Sequence, residues 1–168
     1  MSNIIILNAA ARKNGNTAAL VQAFIDGAKG AGNEVKEFYL QTMNIRGCLA
    51  CMGCTRNADP CAQKDEMSMI YDAFKTADVV VMSSPIYFFG VAGPLKTTTD
   101  RLFALFQKYG AEACQKDSAL LMTSDDPQYD QAVDWYRTFV ENVGWNNLGE
   151  VLGKGNLEAA KALGASIN

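Results

Sequence analysis

The sequence predicts an α/β fold in which a parallel β-sheet is covered by helices on both faces. Short apolar runs of strand length alternate five times with segments whose apolar residues recur at helical spacing. Glycine, asparagine and aspartate mark the boundaries between these segments. The central runs are apolar without a break, which is typical of parallel strands that are buried on both faces.

The boundaries of each element follow from these patterns. The predicted strands cover, in chain order, residues 3–8, 34–40, 79–82, 119–122 and 147–152. The predicted helices cover 16–31, a segment that Asp65 caps and that includes 67–74, then 93–108, a segment that begins after Pro127, and 157–163. The second strand alternates charged with apolar residues, which indicates a half-exposed edge strand.

The alternation of strands and helices also predicts the order of the strands. Right-handed crossovers give a parallel sheet, and the three continuous apolar strands belong in its middle. The fold class predicted is therefore a flavodoxin-like three-layer sandwich with a five-stranded parallel sheet in the order 2-1-3-4-5. We find no linker, repeat or low-complexity tract, so residues 1–168 are predicted to form a single domain. Ligands bind such sheets beyond the carboxyl ends of the strands.

The composition excludes several classes of function. The chain has 168 residues, a net charge of −3 and no histidine. The negative charge argues against nucleic acid or an anionic membrane as a partner, and the lack of histidine excludes His-based catalytic triads. We find neither a signal peptide nor an apolar run long enough to span a bilayer, so a cytoplasmic protein is expected.

A basic loop joins the first strand to the first helix and is the first candidate binding site. It offers a cation, amide groups and a hydroxyl at Arg12, Asn14, Asn16 and Thr17. Free backbone N–H groups at a helix N-terminus suit a phosphate. The alternative is a plain connecting loop whose cations are solvated.

An aromatic loop follows the third strand and is the second candidate site. Its residues are Pro85, Ile86, Tyr87, Phe88, Phe89 and Gly90. Three consecutive aromatic side chains cannot all point into the core, so a flat aromatic ligand is expected to use one or two of them. A contact between copies of the chain is the alternative, and both can hold together. Thr123 and Ser124, after the fourth strand, are expected to place backbone groups near the edge of the ring.

These two loops together favour flavin mononucleotide (FMN) as the ligand. The sequence contains neither the G-x-G-x-x-G motif of dinucleotide sites nor the G-x-x-x-x-G-K-[ST] motif of nucleoside triphosphate sites. A phosphate loop and an aromatic loop on a flavodoxin-like sheet are the features that FMN requires.

Four of the five cysteines are crowded into one segment without clear periodicity. Cys48, Cys51, Cys54 and Cys61 have the spacing C-x2-C-x2-C-x6-C. Cysteines at x2 intervals can wrap one corner of a cubane cluster, so these four are the candidate ligands of a [4Fe–4S] cluster. A zinc site, or a loop that only packs near the flavin, are the alternatives. Cys114 is predicted to have no role.

The loop sequences resemble those of known flavoproteins. Arg12-Lys13-Asn14-Gly15-Asn16-Thr17 resembles the phosphate loop of the NADPH-dependent FMN reductase and iron–sulfur flavoprotein families. Residues 84–90, followed by 93–96 and 100–101, look like their second flavin loop and the helix after it. The four-cysteine segment and the residues 64–67 that follow it are similar to their cysteine segment.

One departure from these families lies in the phosphate loop. Ala9, Ala10 and Ala11 stand where the families usually carry Gly-Ser-Pro. Ala10 lacks the serine hydroxyl that would bond the phosphate, and a hydrogen bond to a charged group contributes about 1.5–3 kcal/mol. We therefore expect FMN to bind more weakly than in the families at large.

The resemblance also implies a function. It implies bound FMN, transfer of electrons from NAD(P)H to a quinone, flavin or similar acceptor, and a homodimer or homotetramer. The acceptor is expected to be a small molecule or a protein. No side chain is predicted to be catalytic, since hydride transfer belongs to the flavin. Two alternatives remain, an electron carrier with FMN and a [4Fe–4S] cluster, and a non-enzymatic binding module with a structural zinc loop.

Overall fold

A computed structural model describes residues 1–56 and 59–168 of the chain. Strands and helices alternate along it as the sequence predicts. In chain order the elements are β1 (Asn3–Asn8), α1 (Asn16–Gly30), β2 (Glu34–Tyr39), α2 (Met67–Thr76), β3 (Val79–Tyr87), β4 (Gly90–Val91), α3 (Gly93–Ala113), β5 (Asp117–Thr123), α4 (Asp130–Asn142), β6 (Asn146–Leu152) and α5 (Leu157–Ala165). Short 3₁₀ turns cover Leu40–Thr42 and Gly53–Thr55.

The sheet has the predicted topology. Five parallel strands lie in the order β2-β1-β3-β5-β6, which is the order 2-1-3-4-5 when only the parallel strands are counted. The two-residue strand β4 pairs antiparallel with the end of β3 and forms a hairpin. The flavodoxin-like fold class is confirmed, with the apolar strands β1, β3 and β5 in the middle.

Helices cover both faces of the sheet, because successive side chains of a strand point to opposite faces. Ile5 and Leu7 of β1 belong to the core beneath α2, α3 and α4. Ile4 and Ile6 belong to the second core, beneath α1 and α5. The three-layer arrangement leaves the ends of the strands as the places where loops can build a site.

Helices α1 and α5 pack with their backbones in close approach. A Cβ added at Gly27 would overlap the carbonyl oxygen of Lys161, and one added at Gly164 would overlap that of Phe24. These two glycines therefore allow α5 to pack directly against α1. This contact holds α1 in place, and the N-terminus of α1 points to the carboxyl edge of the sheet.

Several boundaries differ from the sequence prediction, by one to five residues. Strand β3 continues to Tyr87 instead of ending at Met82, because the polar residues from Ser83 onward keep pairing with β5. Helix α3 extends to Ala113 instead of Lys108, with a non-helical Gly110 near its end. Strand β5 starts at Asp117 instead of 119, since its first polar residues still pair with β3.

None of the helices in the described ranges is long and apolar enough to cross a membrane.

Candidate functional site

A cleft lies at the carboxyl ends of β1, β3 and β5, where the sequence predicts a ligand. The loops that follow these strands supply most of its walls, and the loop after β6 supplies one lysine. The lining residues are Ala10, Ala11, Arg12, Gly15, Asn16, Thr17, Pro85, Ile86, Tyr87, Thr123, Ser124, Asp125 and Lys154.

The loop after β1 is built to present backbone N–H groups. The side chain of Asn8 accepts a hydrogen bond from the Ala10 N–H (2.9 Å) and so turns the chain at the end of the strand. Gly15 precedes α1 in an extended conformation, and no described side chain caps the helix. The first N–H groups of a helix have no intrahelical partner, so those of α1 face the cleft as free donors for an anion.

Two threonine hydroxyls hold the parts of the cleft that follow β1 and β5 together. Thr17 on α1 and Thr123 at the end of β5 are both buried, and their Oγ1 atoms are 2.5 Å apart. This bond joins the start of α1 to β5, which is separated from β1 by β3 in the sheet. Ser124 is held by its own N–H, which donates to the Tyr129 hydroxyl (2.9 Å).

Some residues of the aromatic loop line the cleft and others lie at the surface. Pro85, Ile86 and Tyr87 line the cleft. Phe88 and Phe89 form the turn of the β3–β4 hairpin and do not line it, and Phe88 is fully exposed. The Ser84 hydroxyl accepts the Ala92 N–H (2.8 Å) and donates to the Pro85 carbonyl (2.6 Å), which braces the base of the hairpin.

The hairpin turn carries backbone strain. Phe88 has a φ of +48° and Phe89 one of +66°, the left-handed values of a two-residue turn that favours glycine and asparagine. The left-handed conformation costs about 1–2 kcal/mol for a residue with a side chain. Gly90 pairs with Tyr87 across the hairpin and also stays outside the cleft.

Asn14 is the one predicted phosphate residue that the structure places elsewhere. With Lys13 and Tyr39 it lines a separate groove between α1 and the edge strand β2. The ammonium of Lys13 lies over the Tyr39 ring, 5.7 Å from its centroid. The loop thus sends Lys13 and Asn14 to one side and Arg12 to the other, so Arg12 is the loop cation that faces the cleft.

Lys154 lines the cleft and was missed by the sequence reasoning, and Asp125 lines it next to the expected Thr123 and Ser124. They form an exposed ion pair at the mouth of the cleft. The hydrogen bond and the charge of Lys154 hold the pKa of Asp125 below its usual range. The signal for Lys154 was present in the sequence, since it stands between Gly153 and Gly155 directly after the last strand.

The four candidate metal ligands line a single pocket. Cys48, Cys51, Cys54 and Cys61 share it with apolar groups and with Arg101 and Phe103 of α3. Cys48 and Cys51 are exposed, Cys54 and Cys61 are partly buried, and all four are free thiols. In the described ranges, no three cysteine or carboxylate side chains are arranged to hold a single metal ion.

A buried ion pair fastens the cysteine segment to the domain. Arg101 donates to both carboxylate oxygens of Asp65 at 2.8 and 3.1 Å, and to the Arg46 carbonyl at 2.7 Å. The side chains of Arg101 and Asp65 are each 1% exposed. Burial raises the pKa of Asp65, but the hydrogen bonds from Arg101 and from the Arg46 N–H outweigh this effect, so the pKa lies below its usual range.

The same aspartate also organises the start of α2. Its carboxylate accepts the Met67 N–H at 3.2 Å, although the N-cap position of α2 is held by Glu66 and not by Asp65 as predicted. Tyr71 of α2 donates its hydroxyl to the Arg101 carbonyl (2.9 Å). The segment that carries the cysteines is therefore tied at both ends to α2 and α3.

Comparisons with known proteins place the chain in a family. A family model described as NADPH-dependent FMN reductase matches residues 2–154. An iron–sulfur flavoprotein of Methanosarcina thermophila is 31% identical over 107 residues, which cover 60% of this chain and 56% of that protein. The chain spans about half the length of the curated relatives it matches.

Solved structures with low sequence identity share the fold. The NAD(P)H:quinone oxidoreductase from Methanothermobacter marburgensis has a TM-score of 0.72 at 18% identity, with 98% of this chain and 96% of that chain covered. The azoreductase AzrA has a TM-score of 0.75 at 19% identity, with 99% and 100% covered. The match to the family model extends over the cleft, the cysteine segment and all elements up to β6, and this chain belongs to the NADPH-dependent FMN reductase family.

Proposed function

We propose that the protein binds FMN in the cleft and uses it to transfer electrons from NAD(P)H to a quinone, a flavin or a similar acceptor. The observation that carries this proposal is the pairing of two unlike walls in one cleft. One wall offers an uncapped helix N-terminus with Arg12, and the other offers the apolar side chains of Pro85 and Ile86 and the ring of Tyr87. A phosphate suits the first wall and an aromatic ring the second.

Each proposed contact has a specific role. Arg12 and the free N–H groups of α1 would bind the phosphate, with Asn16 and Thr17 beside them. Thr123 and Ser124 would border the ring. When bound, FMN supplies the hydride chemistry, and the chain positions it and sets its electrostatic surroundings. Asn14, Phe88, Phe89 and Gly90 do not line the cleft, so this proposal assigns them no contact with FMN.

The experiment is a titration of flavin-free protein with FMN and with riboflavin, which lacks the phosphate. Arg12→Ala should weaken FMN binding at least tenfold and leave riboflavin binding unchanged, since a hydrogen bond to a charged group is worth about 1.5–3 kcal/mol. Lys13→Ala is the matched control, because this neighbouring cation lines the other groove. Equal losses in both variants, or in both ligands, would contradict the assignment of the cleft.

The donor and acceptor are tested on the FMN-loaded protein. Rapid mixing with NADPH or NADH under anaerobic conditions should bleach the flavin absorbance, and a quinone added afterwards should restore it. Failure of both nucleotides to bleach bound FMN would contradict the proposed NAD(P)H-dependent activity while leaving FMN binding intact.

We also propose that copies of the chain associate through the exposed hairpin tip, as a homodimer or homotetramer. Tyr87, Phe88 and Phe89 present three large apolar side chains next to the cleft, each more than half exposed. Light scattering should give a mass of two or four chains, and Phe88→Ser should lower it. A wild-type monomer would contradict this part of the proposal.

A second candidate function concerns the cysteine segment. Four free thiols on one largely apolar pocket favour an electron carrier in which a [4Fe–4S] cluster passes electrons to the flavin. The pocket lies against α3, which follows the flavin loop directly, and Arg101 lies about 12 Å along the axis from the start of that helix.

Chemical analysis separates this candidate from its rivals. The protein is prepared without oxygen and its iron, acid-labile sulfide, zinc and flavin are measured on one sample. About four iron and four sulfide per chain would support the electron carrier. Flavin without iron would support the plain reductase, whereas zinc with no capacity to bind FMN would support the binding module.

A further inference from the structure

The guanidinium of Arg101 is the most deeply buried cation of the cysteine pocket. Its side chain is 1% exposed, and burial of a charge is costly unless its donors find partners. Asp65 balances the charge and takes the two terminal nitrogens, and the Arg46 carbonyl takes a second bond from one of them. These bonds account for the end of the guanidinium that points to Asp65.

The third nitrogen of this side chain has no partner. The Nε atom is buried and lacks a hydrogen-bond acceptor among the residues that the structure describes. Because the guanidinium is planar and rigid, its Nε–H cannot turn to share the oxygens of Asp65 while the terminal nitrogens hold them. An unmet buried donor costs about 1–3 kcal/mol, so a partner at this position is expected.

The surroundings indicate what that partner is. Arg101 lines the pocket that holds the four cysteines, and Cys61 also lines the adjoining groove that Tyr71 borders. Gln63 and Asp100 also line this pocket, but the amide of Gln63 is held by the Gly47 carbonyl and Asp100 is paired with Lys96. Sulfur is the acceptor that the segment supplies in quantity. Thiolate and sulfide sulfurs carry negative charge when they bind iron, which makes them good acceptors for an N–H of a cation.

We propose that the Arg101 Nε–H donates a hydrogen bond to a sulfur atom of an iron–sulfur group held by the cysteines. Arg101 is then a positioning residue for that group, in addition to holding the cysteine segment through Asp65 and the Arg46 carbonyl. The proposal rests on the second candidate function above and goes beyond it, because it assigns a residue that tunes the group. Hydrogen bonds to sulfur are one of the factors that set the reduction potential of such groups.

The test compares reduction potentials in three anaerobic preparations reconstituted with ferrous iron and sulfide. Arg101→Lys keeps a cation for Asp65 but removes the Nε–H. It should still take up iron and sulfide, and its midpoint potential should shift to a more negative value, since the lost bond had stabilised the reduced, more negative state. Arg46→Gln is the matched control, because its cation also lies near Asp65 (3.9 Å) but is exposed.

The outcomes separate the two roles of Arg101. If Arg101→Lys has lower thermal stability but an unchanged midpoint potential, the proposed hydrogen bond is wrong, and Arg101 only holds the cysteine segment in place. Wild-type protein that takes up no iron and sulfide would overturn the proposal together with the cysteine site, without touching the FMN assignment, which is read from the flavin absorbance.

A measurement on the wild-type protein covers the case in which Arg101→Lys fails to fold. Protein labelled with ¹⁵N-arginine and loaded with the cluster is reduced and studied by pulsed electron paramagnetic resonance. A hyperfine coupling to an arginine nitrogen is expected. The absence of any such coupling would overturn the proposal.

Discussion

Restoring a hydroxyl at Ala10 should strengthen FMN binding. Ala10 is 1% exposed and lines the cleft, and its N–H is already held by the Asn8 side chain. A serine side chain at this position adds one oxygen without moving the backbone. The substitution Ala10→Ser therefore tests both the location of the phosphate and the weakness that the alanine run predicts.

The magnitude follows from the type of bond. A hydrogen bond to a charged group contributes about 1.5–3 kcal/mol, and each 1.4 kcal/mol is a factor of ten in the dissociation constant. Desolvation of the new hydroxyl and loss of its rotational freedom reduce the gain, so the lower end applies. We expect FMN to bind about tenfold more tightly to Ala10→Ser than to the wild-type protein.

The assay is quenching of flavin fluorescence during titration of flavin-free protein. Riboflavin is the ligand control, and its affinity should not change. Ala9→Ser is the protein control. Ala9 packs in the hydrophobic core, so the hydroxyl introduced by this substitution would not reach the cleft. If Ala10→Ser leaves FMN affinity unchanged, or improves riboflavin equally, then the phosphate does not lie at this loop.

Three further predictions follow from other contacts. Lys154→Gln should weaken FMN binding and Asp125→Asn should tighten it, each by roughly two- to fivefold, the size expected for exposed ion pairs. Riboflavin binding should not change, and both effects on FMN binding should be smaller at high salt. The lowered pKa of Asp65 stabilises the fold above about pH 4, and this stability is lost as the pH falls through the pKa of the folded state. The free energy of unfolding of Asp65→Asn should therefore depend less on pH in acid than that of the wild-type protein. Gly27→Ala should lower the free energy of unfolding in urea by more than about 1 kcal/mol, since its Cβ meets fixed backbone, whereas Gly30→Ala, which meets open space, should not.

The order of strands and helices was predictable because the apolar runs and the alternating polar and apolar pattern both indicate it. The apolar runs of β1, β3 and β5 are buried on both faces, and the alternating β2 lies at an edge. Boundaries were less predictable, since polar residues such as Ser83 and Ser84 pair within a strand as well as apolar ones do. The hairpin strand β4 was missed because its turn, Phe88-Phe89, lacks the glycine or asparagine that normally marks one.

The site was predictable as a set of loops but not as a set of side chains. Topology brings the ends of β1, β3 and β5 together, so Arg12, Pro85 and Thr123 meet as expected. Which side of a loop a given residue takes depends on backbone dihedral angles that the residue types do not fix. Asn14 therefore points to a different groove, and Phe88 points to solvent.

The fastening of the cysteine segment by Arg101 has a consequence for how its length can vary. The contacts at Arg46 and Asp65 close a loop of about 20 residues, and the entropy of closing a flexible loop grows only with the logarithm of its length. Doubling the loop would cost only about 0.6 kcal/mol. The chain between the two anchors can thus gain or lose residues, and with them its cysteine spacing, at almost no cost to the rest of the domain. The fold of the domain therefore does not require one fixed length or cysteine spacing in this segment.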